Sequence, residues 1–427
     1  MKINLICVIC VLISNLAFSL DKDTIPCIDK VYVKNLKTVR INKNRQEFSY
    51  PIIKMDSENH LLFNFDHVET SPDTYYYTII HCTYDWKPSN ITYFEYATGF
   101  EENKIYDYET SINTLVPYTH FELKIPNEDV KLKYSGNYLL VVYTKNNENE
   151  EIACTRRFMI YEDLVGVKGE VRAGISVDDS KTSQRLLFSI NKNNYNIYDH
   201  EKELKIVILQ NYQWNNALQN INPSFIDNKT LVYNWDDKTQ FKASNEYRAF
   251  NSINLKIESE NVENIEFINP YYFITLFSDK SRNYTKYSTY TDLNGFYAIR
   301  TDRFNTKDFP DVQADYTMVK FQLENSIPLS TKDVYIYGEL TNYELSDDYK
   351  MFYNLNNRSY EKLLFLKQGY YNYRYITVSK DKQIADHTFF EGSFYDTEND
   401  YLLIVYHKSY KDNYYRIINY TLFNSSK

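Results

Sequence analysis

The sequence predicts an all-β protein, built as tandem immunoglobulin-like β-sandwiches after a cleaved signal peptide. Three observations carry this. Short runs rich in Tyr, Phe, Ile, Val and Thr recur along the chain, separated by Asn, Asp, Ser and Lys. No alternation of strand and helix accompanies them, and only Trp214–Ile221 reads as a short helix. Turn-making falls to asparagine, because 427 residues hold only 9 glycines, and Asn tolerates left-handed backbone better than most other residues.

The elements follow in order. Residues 1–19 carry Lys2, an apolar run from Leu5 to Ile13, and Ala17-Phe18-Ser19, which sets small residues at −3 and −1 of a cleavage site. The run is too short to span a bilayer and reads as a secretory leader. No later stretch approaches the ~18 apolar residues of a membrane helix, so none is expected. Residues 20–165 then hold the strand signals Leu61–Asp66, Tyr75–Tyr84, Asn137–Thr144 and Ala153–Tyr161. Residues 166–310 hold Leu204–Gln210 and Tyr271–Ser278, and residues 311–427 hold Val334–Gly338 and Tyr401–His407. The expected boundaries are Leu164–Glu170 and the polar stretch Asn305–Val312 with Pro310, which agrees with the roughly three domains that length suggests. Asparagine-rich turns sit at 145–149, 191–194 and 354–357, and Asp292-Leu293-Asn294-Gly295 is the clearest tight turn.

Composition excludes several functions. Basic residues number 48 against 57 acidic, a net charge of −9. An acidic chain without a basic tract is a poor nucleic-acid binder, because phosphate neutralisation supplies most of that affinity. Scarce glycine argues against a phosphate-cradling loop. With 43% hydrophobic residues the chain is not disordered. Cys7 and Cys10 fall in the leader, which leaves Cys27, Cys82 and Cys154, an odd number that permits at most one internal disulfide.

Catalytic constellations are not evident. The histidines, His60, His67, His81, His120, His200, His387 and His407, form no metal-ligand spacing. His81 and Cys82 are strand neighbours and should point to opposite faces. There is no nucleophile elbow and no P-loop. The acidic pairs at 178–179, 236–237 and 347–348 read as solvated turns. Neither a cofactor nor a metal is expected. A hydrolase with paired carboxylates in a cleft stays open at this level, because Asp and Glu are numerous.

Two aromatic segments stand out. Residues 86–121 form a connection of about 35 residues between strands, long for a sandwich and rich in Tyr, Phe and Trp. It is either an ordered flap closing the first sandwich or a docking surface, since Tyr and Trp carry much interface energy. Residues 333–375 resemble the carbohydrate-binding sandwiches attached to glycogen-branching enzymes, with Tyr343 where those modules place Trp. That resemblance implies an alternative function as a secreted glycan-binding β-sandwich protein.

A wider resemblance covers nearly the whole mature chain. Its strings are His81-Cys82 through Asp85-Trp86, Tyr96 with Gly99-Phe100, Ile105-Tyr106-Asp107-Tyr108, Ser111 to Thr114 and Pro117-Tyr118-Thr119-His120. Ser135 to Leu139, Arg157-Phe158, Gln210 to Trp214, Asn245 to Arg248, Asp292 to Gly295, Lys367 to Tyr373 and Glu391 to Tyr401 follow. Together they resemble the type IX secretion system plug protein family of Bacteroidetes. Leu340-Thr341-Asn342-Tyr343 departs from the family's more usual F-N-N-W. The resemblance implies a non-catalytic periplasmic protein that binds the large outer-membrane translocon barrel and seals its periplasmic opening, with no membrane span of its own. Within the long segment, Trp86, Pro88, Tyr96, Phe100, Tyr108, Asn113, Pro117, Tyr118 and His120 are the candidate partner contacts.

Overall fold

The computed structural model describes residues 24–426 except 70–71, 147–148, 236, 303–309 and 383. The expected leader at 1–19, most of the expected linker at 305–312 and one member of the 236–237 pair lie outside the described residues. Strands make up 48% of the described residues and helix 6%. No helix among the described residues is long and apolar enough to cross a membrane.

Alternation builds the first sandwich. Leu61, Phe63 and Phe65 of one sheet face Tyr75, Tyr77 and Ile79, together with Tyr138, Leu140 and Val142, of the other in one core. One sheet runs Leu36–Lys43, Leu61–His67, Thr119–Ile125, Asp107–Thr110. In the other, Gly136–Asn146 pairs antiparallel with both Asn149–Tyr161 and Tyr75–Cys82. The residues between face outward and are also covered. Leu139, Val141 and Tyr143 bury against Ile25, Cys27, Ile80 and Cys82, so the segment from residue 24 cloaks this sheet's outer face.

The middle sandwich is completed from far along the chain. Ser183–Asn191 pairs with Gly166–Ala173 in one sheet. In the facing sheet, Leu204–Gln210 pairs with Asp400–His407, which pairs with Arg416–Asn424. The register sets Leu204 opposite His407 and Gln210 opposite Tyr401. Between these halves the chain builds a third sandwich. Its first sheet gathers Arg248–Asn251, Tyr297–Ile299 and Lys332–Tyr337 around Gly369–Ser379. Its second runs Val262–Ile268, Tyr271–Leu276, Tyr316–Glu324, Ser359–Lys367, Phe352–Asn354.

Residues 166–310 and 311–427 therefore do not pair as two continuous units. Alternation reports which face of a strand is buried, and it does not report the partner. The apolar runs at 206–209 and 401–406 have the same cause. Ile206, Ile208, Leu403 and Val405 fill the middle core. Val207, Leu209, Leu402, Ile404 and Tyr406 enter a separate core with Tyr50, Ile52 and Met159 of the first sandwich and Phe296 of the third.

The expected helix at 214–221 is not formed. Trp214–Asn216 make a single 3₁₀ turn, and Leu218 then pairs as a strand opposite Ile208. Cross-strand pairing overrides weak helical periodicity here. Asparagine does take over turn-making. Asn44, Asn113, Asn193, Asn211, Asn220, Asn261, Asn294 and Asn342 adopt positive φ, against Gly99, Gly136, Gly295 and Gly392. Gly295, at φ 90°, is needed for a second reason: a Cβ there would lie 2.7 Å from the Tyr247 ring.

Removing residues 400–427 should strip the middle sandwich of two strands and open the core at Ile206 and Ile208. The expected outcome is rapid cleavage within residues 166–242 under limited proteolysis, where the full chain resists. Survival of 166–242 in the truncated protein would contradict this topology.

Candidate functional site

The structure divides the nine candidate contacts. Phe100 is 78% exposed and Tyr108 58%. Asn113 and Pro117 are exposed at the turn joining Asp107–Thr110 to Thr119–Ile125. Pro88 is half-buried and bridges back to Cys82. Tyr96, Tyr118 and His120 are buried, which removes their side chains from any outer docking surface. Tyr96 packs in the first core and donates its hydroxyl to the Ile79 carbonyl at 2.9 Å. Phe94 and Tyr106, both 70% exposed, are apolar surface in the same segment but outside the nine candidate contacts.

The turn at 111–118 is seated on the third sandwich. Leu115 N–H donates to Asp315 Oδ1 at 2.6 Å, and Ile112 N–H to the Val312 carbonyl at 2.8 Å. Tyr118 packs with Val116 and Tyr316 and donates to the Ala314 carbonyl at 2.8 Å.

Beside it lies a buried ionic cluster. Asp66, fully enclosed, receives Lys367 Nζ and the Tyr316 hydroxyl, each at 2.6 Å, and has His120 Nδ1 at 2.6 Å from its other oxygen. Thr38 Oγ1 meets the Tyr316 oxygen at 2.6 Å. Lys367 also lies 4.2 Å over the Tyr118 ring and donates to the Asp311 carbonyl. Arg40 Nη2 binds Asp311 Oδ1 at 3.0 Å. The two buried cations thus face one enclosed carboxylate, Asp66, and one half-buried one, Asp311, the pairing that burial of charge requires. Burial opposes ionisation of Asp66, but the Lys367 ammonium and His120 outweigh it and hold the carboxyl below its usual range. The same burial depresses Lys367.

A second joint connects the first and middle sandwiches. The Arg157 guanidinium lies 5.3 Å from the Trp86 ring and 5.2 Å from that of Trp214, while Asp29 Oδ2 holds its Nη2 at 2.7 Å. Trp86 and Trp214 meet edge to face at 5.0 Å. Trp86 is thus spent on an internal contact. Inside the third sandwich Glu391, fully buried, accepts from Arg248 Nε at 3.0 Å, Arg282 Nε at 2.8 Å and Tyr375 N–H at 2.9 Å. Burial would raise its pKa, but the two guanidiniums bring it down to about 2.

Where the three sandwiches meet, a cavity of about 410 Å³ remains, walled by Tyr50, Arg156, Tyr212, Trp214, Phe296, Tyr337, Glu339 and Tyr343 among others. Tyr343 is half-buried here, edge-on to Tyr337 at 5.4 Å, and does not stand out as an open sugar-stacking platform. Glu339 accepts from Tyr297 N–H at 3.2 Å. Burial, only partly offset by Arg40 and Arg156, raises its pKa to about 7.

Comparison with known proteins bears on these joints. A family model described as the type 9 secretion system plug protein 1st domain matches residues 36–162, the span of the first sandwich from its Leu36–Lys43 strand onward. The first sandwich belongs to the type IX secretion system plug protein family. A crystal structure of a hypothetical protein from Parabacteroides merdae ATCC 43184, at 2.30 Å resolution, is 33% identical and aligns over 93% of this chain and 99% of that one, with a TM-score of 0.89. The fold likeness to that protein therefore extends through all three sandwiches. The C-terminal domain of the Streptococcus pyogenes antigen I/II-family protein AspA aligns at 7% identity over 90% of this chain and 99% of that one, with a TM-score of 0.15 that carries no fold likeness. No curated protein matches the chain.

Two outcomes test the joints of this chain. Lys367→Met leaves Asp66 charged and uncompensated, so urea denaturation should show a loss of about 3–5 kcal/mol; Asp66→Asn combined with Lys367→Met should cost less than Lys367→Met alone. For Glu339 the folded pKa is raised, so its favourable contribution is complete below its ordinary value near 4.5 and is lost as pH rises through about 7. Stability measured between pH 5 and 8 should decline less steeply in Glu339→Gln than in the parent, with Glu246, also raised to about 7 by burial, accounting for part of the remainder.

Proposed function

We propose that the chain is a periplasmic stopper that binds the type IX translocon barrel, closes its periplasmic opening and acts by contact rather than by catalysis. The observation that carries this reading is the plug-family match over the first sandwich, within a chain whose full length follows one homologous fold. The physical design suits the task. A stopper must hold its shape against a large opening, and here three sandwiches share one apolar core, a buried ion pair joins the first to the third, and a second buried ionic cluster stiffens the third from within.

The contact with the barrel belongs to the exposed aromatics of the 94–108 segment: Phe94, Phe100, Tyr106 and Tyr108. They are open side chains of the kind that anchor interfaces. Release would follow when a substrate or another component binds the open barrel better than this surface does.

Deleting the gene should make the outer membrane leaky to antibiotics and dyes that it otherwise excludes, and unchanged permeability would sink the gating role. In a mild-detergent pull-down a very large outer-membrane barrel should accompany the parent protein. Phe100→Ser with Tyr108→Ser should reduce that recovery at least tenfold while leaving the melting temperature in place, since both side chains are exposed; full recovery would move the contact elsewhere.

A further inference from the structure

Cys27 and Cys82 are separated by 55 residues in sequence, yet their sulfurs lie 3.6 Å apart. Both are buried in the small apolar cluster formed with Ile25, Ile80, Leu139, Val141 and Tyr143 on the outer face of the first sandwich. Cys154 belongs to the core on the opposite face of the same sheet, so it is the odd thiol. We propose that Cys27 and Cys82 are a disulfide site, joined when the chain meets a thiol–disulfide oxidant in an oxidising compartment, and that the bridge fastens the segment around residues 24–29 to the first sandwich.

The geometry needs little change. A disulfide bond is about 2.0 Å long, so the sulfurs need approach by less than a bond length plus a side-chain rotation. The Cys82 thiol is directed at Cys27, and that hydrogen bond, with Arg157 nearby, keeps Cys27 below the usual thiol range despite burial. The lower-pKa sulfur is the better attacking thiolate. In the exchange the Cys27 thiolate attacks the oxidant's disulfide, and one oxidant sulfur leaves as a thiolate. The Cys82 thiolate, its proton passed to solvent, then attacks the mixed disulfide and releases the second oxidant sulfur. Two thiols become one S–S bond, and the oxidant's disulfide becomes a dithiol. Once segment 24–29 is docked both sulfurs are enclosed, so exchange belongs to folding and the finished bridge is shielded from reductants.

The bridge also controls a wall of the central cavity. Ile28 and Asp29 line that cavity, and Asp29 holds Arg157 between Trp86 and Trp214. Fastening Cys27 two residues away fixes both. The inference goes beyond the stopper reading and is independent of whether the barrel is the partner.

The test uses the full chain exported to the periplasm, with free thiols blocked by an alkylating agent at lysis under denaturing conditions. Cys154 alone should be alkylated before reduction, all three cysteines after it, and non-reducing peptide mapping should recover the peptides of Cys27 and Cys82 as one linked pair. Alkylation of both Cys27 and Cys82 before reduction overturns the proposal, as does a bridge to Cys154. Cys27→Ser should free Cys82 for alkylation, and Cys154→Ser should leave the linked pair intact.

Discussion

The strands Leu204–Gln210 and Asp400–His407 lie in a sheet whose two faces are both interior, and the arrangement of the molecule depends on that. One face closes the middle sandwich through Ile206, Ile208, Leu403 and Val405. The other supplies Val207, Leu209, Leu402, Ile404 and Tyr406 to the core that reaches the first and third sandwiches. Each such side chain removed from water contributes about 1.5–3 kcal/mol. The second face alone therefore outweighs a typical interdomain contact. Three sandwiches that would otherwise hinge on short connections are held as one body.

Apolar burial does not fix orientation sharply, and the buried ion pairs do. Asp66 of the first sandwich pairs with Lys367 of the third, while Glu391 with Arg248 and Arg282 fixes distant segments of the third sandwich to one another. A buried pair of this kind adds little net stability over an apolar replacement of equal shape, but any misplacement leaves a charge enclosed without its counter-ion. Sliding one sandwich against another by a residue would expose that cost at once. The strings that carry the family likeness fall at these places: Lys367–Tyr373 at the ionic joint, Glu391 at the ionic cluster inside the third sandwich, Gln210–Trp214 along the central core and cavity.

Much of the secondary structure was legible in the sequence, because period-two alternation and asparagine turns are local signals. The pairing was not. Nothing in LKIVILQ names YLLIVYH as its neighbour, although the lack of polar alternation in both runs marks strands buried on two faces. The 86–121 segment was legible as ordered and aromatic, but its division into internal and external side chains was not. Tyr118 and Tyr108 look alike in sequence; the first closes over Lys367 and the second faces solvent. Asp66 was missed although it sits in an apolar strand, LLFNFDH, where a carboxylate without a partner would be costly. That misfit was the available clue to the ionic joint.

The insertion of one sandwich between the two halves of another has a consequence for how the chain comes into being. The strand at 204–210 waits nearly two hundred residues for its neighbour at 400–407. Until that neighbour has been made, the middle unit offers an open sheet edge and an unfilled core, while residues 248–392 are free to collapse on their own. Closure of such a distant contact is slow and comes late. A polypeptide that cannot finish its centre early sets into a single body only after residues 400–424 have been made.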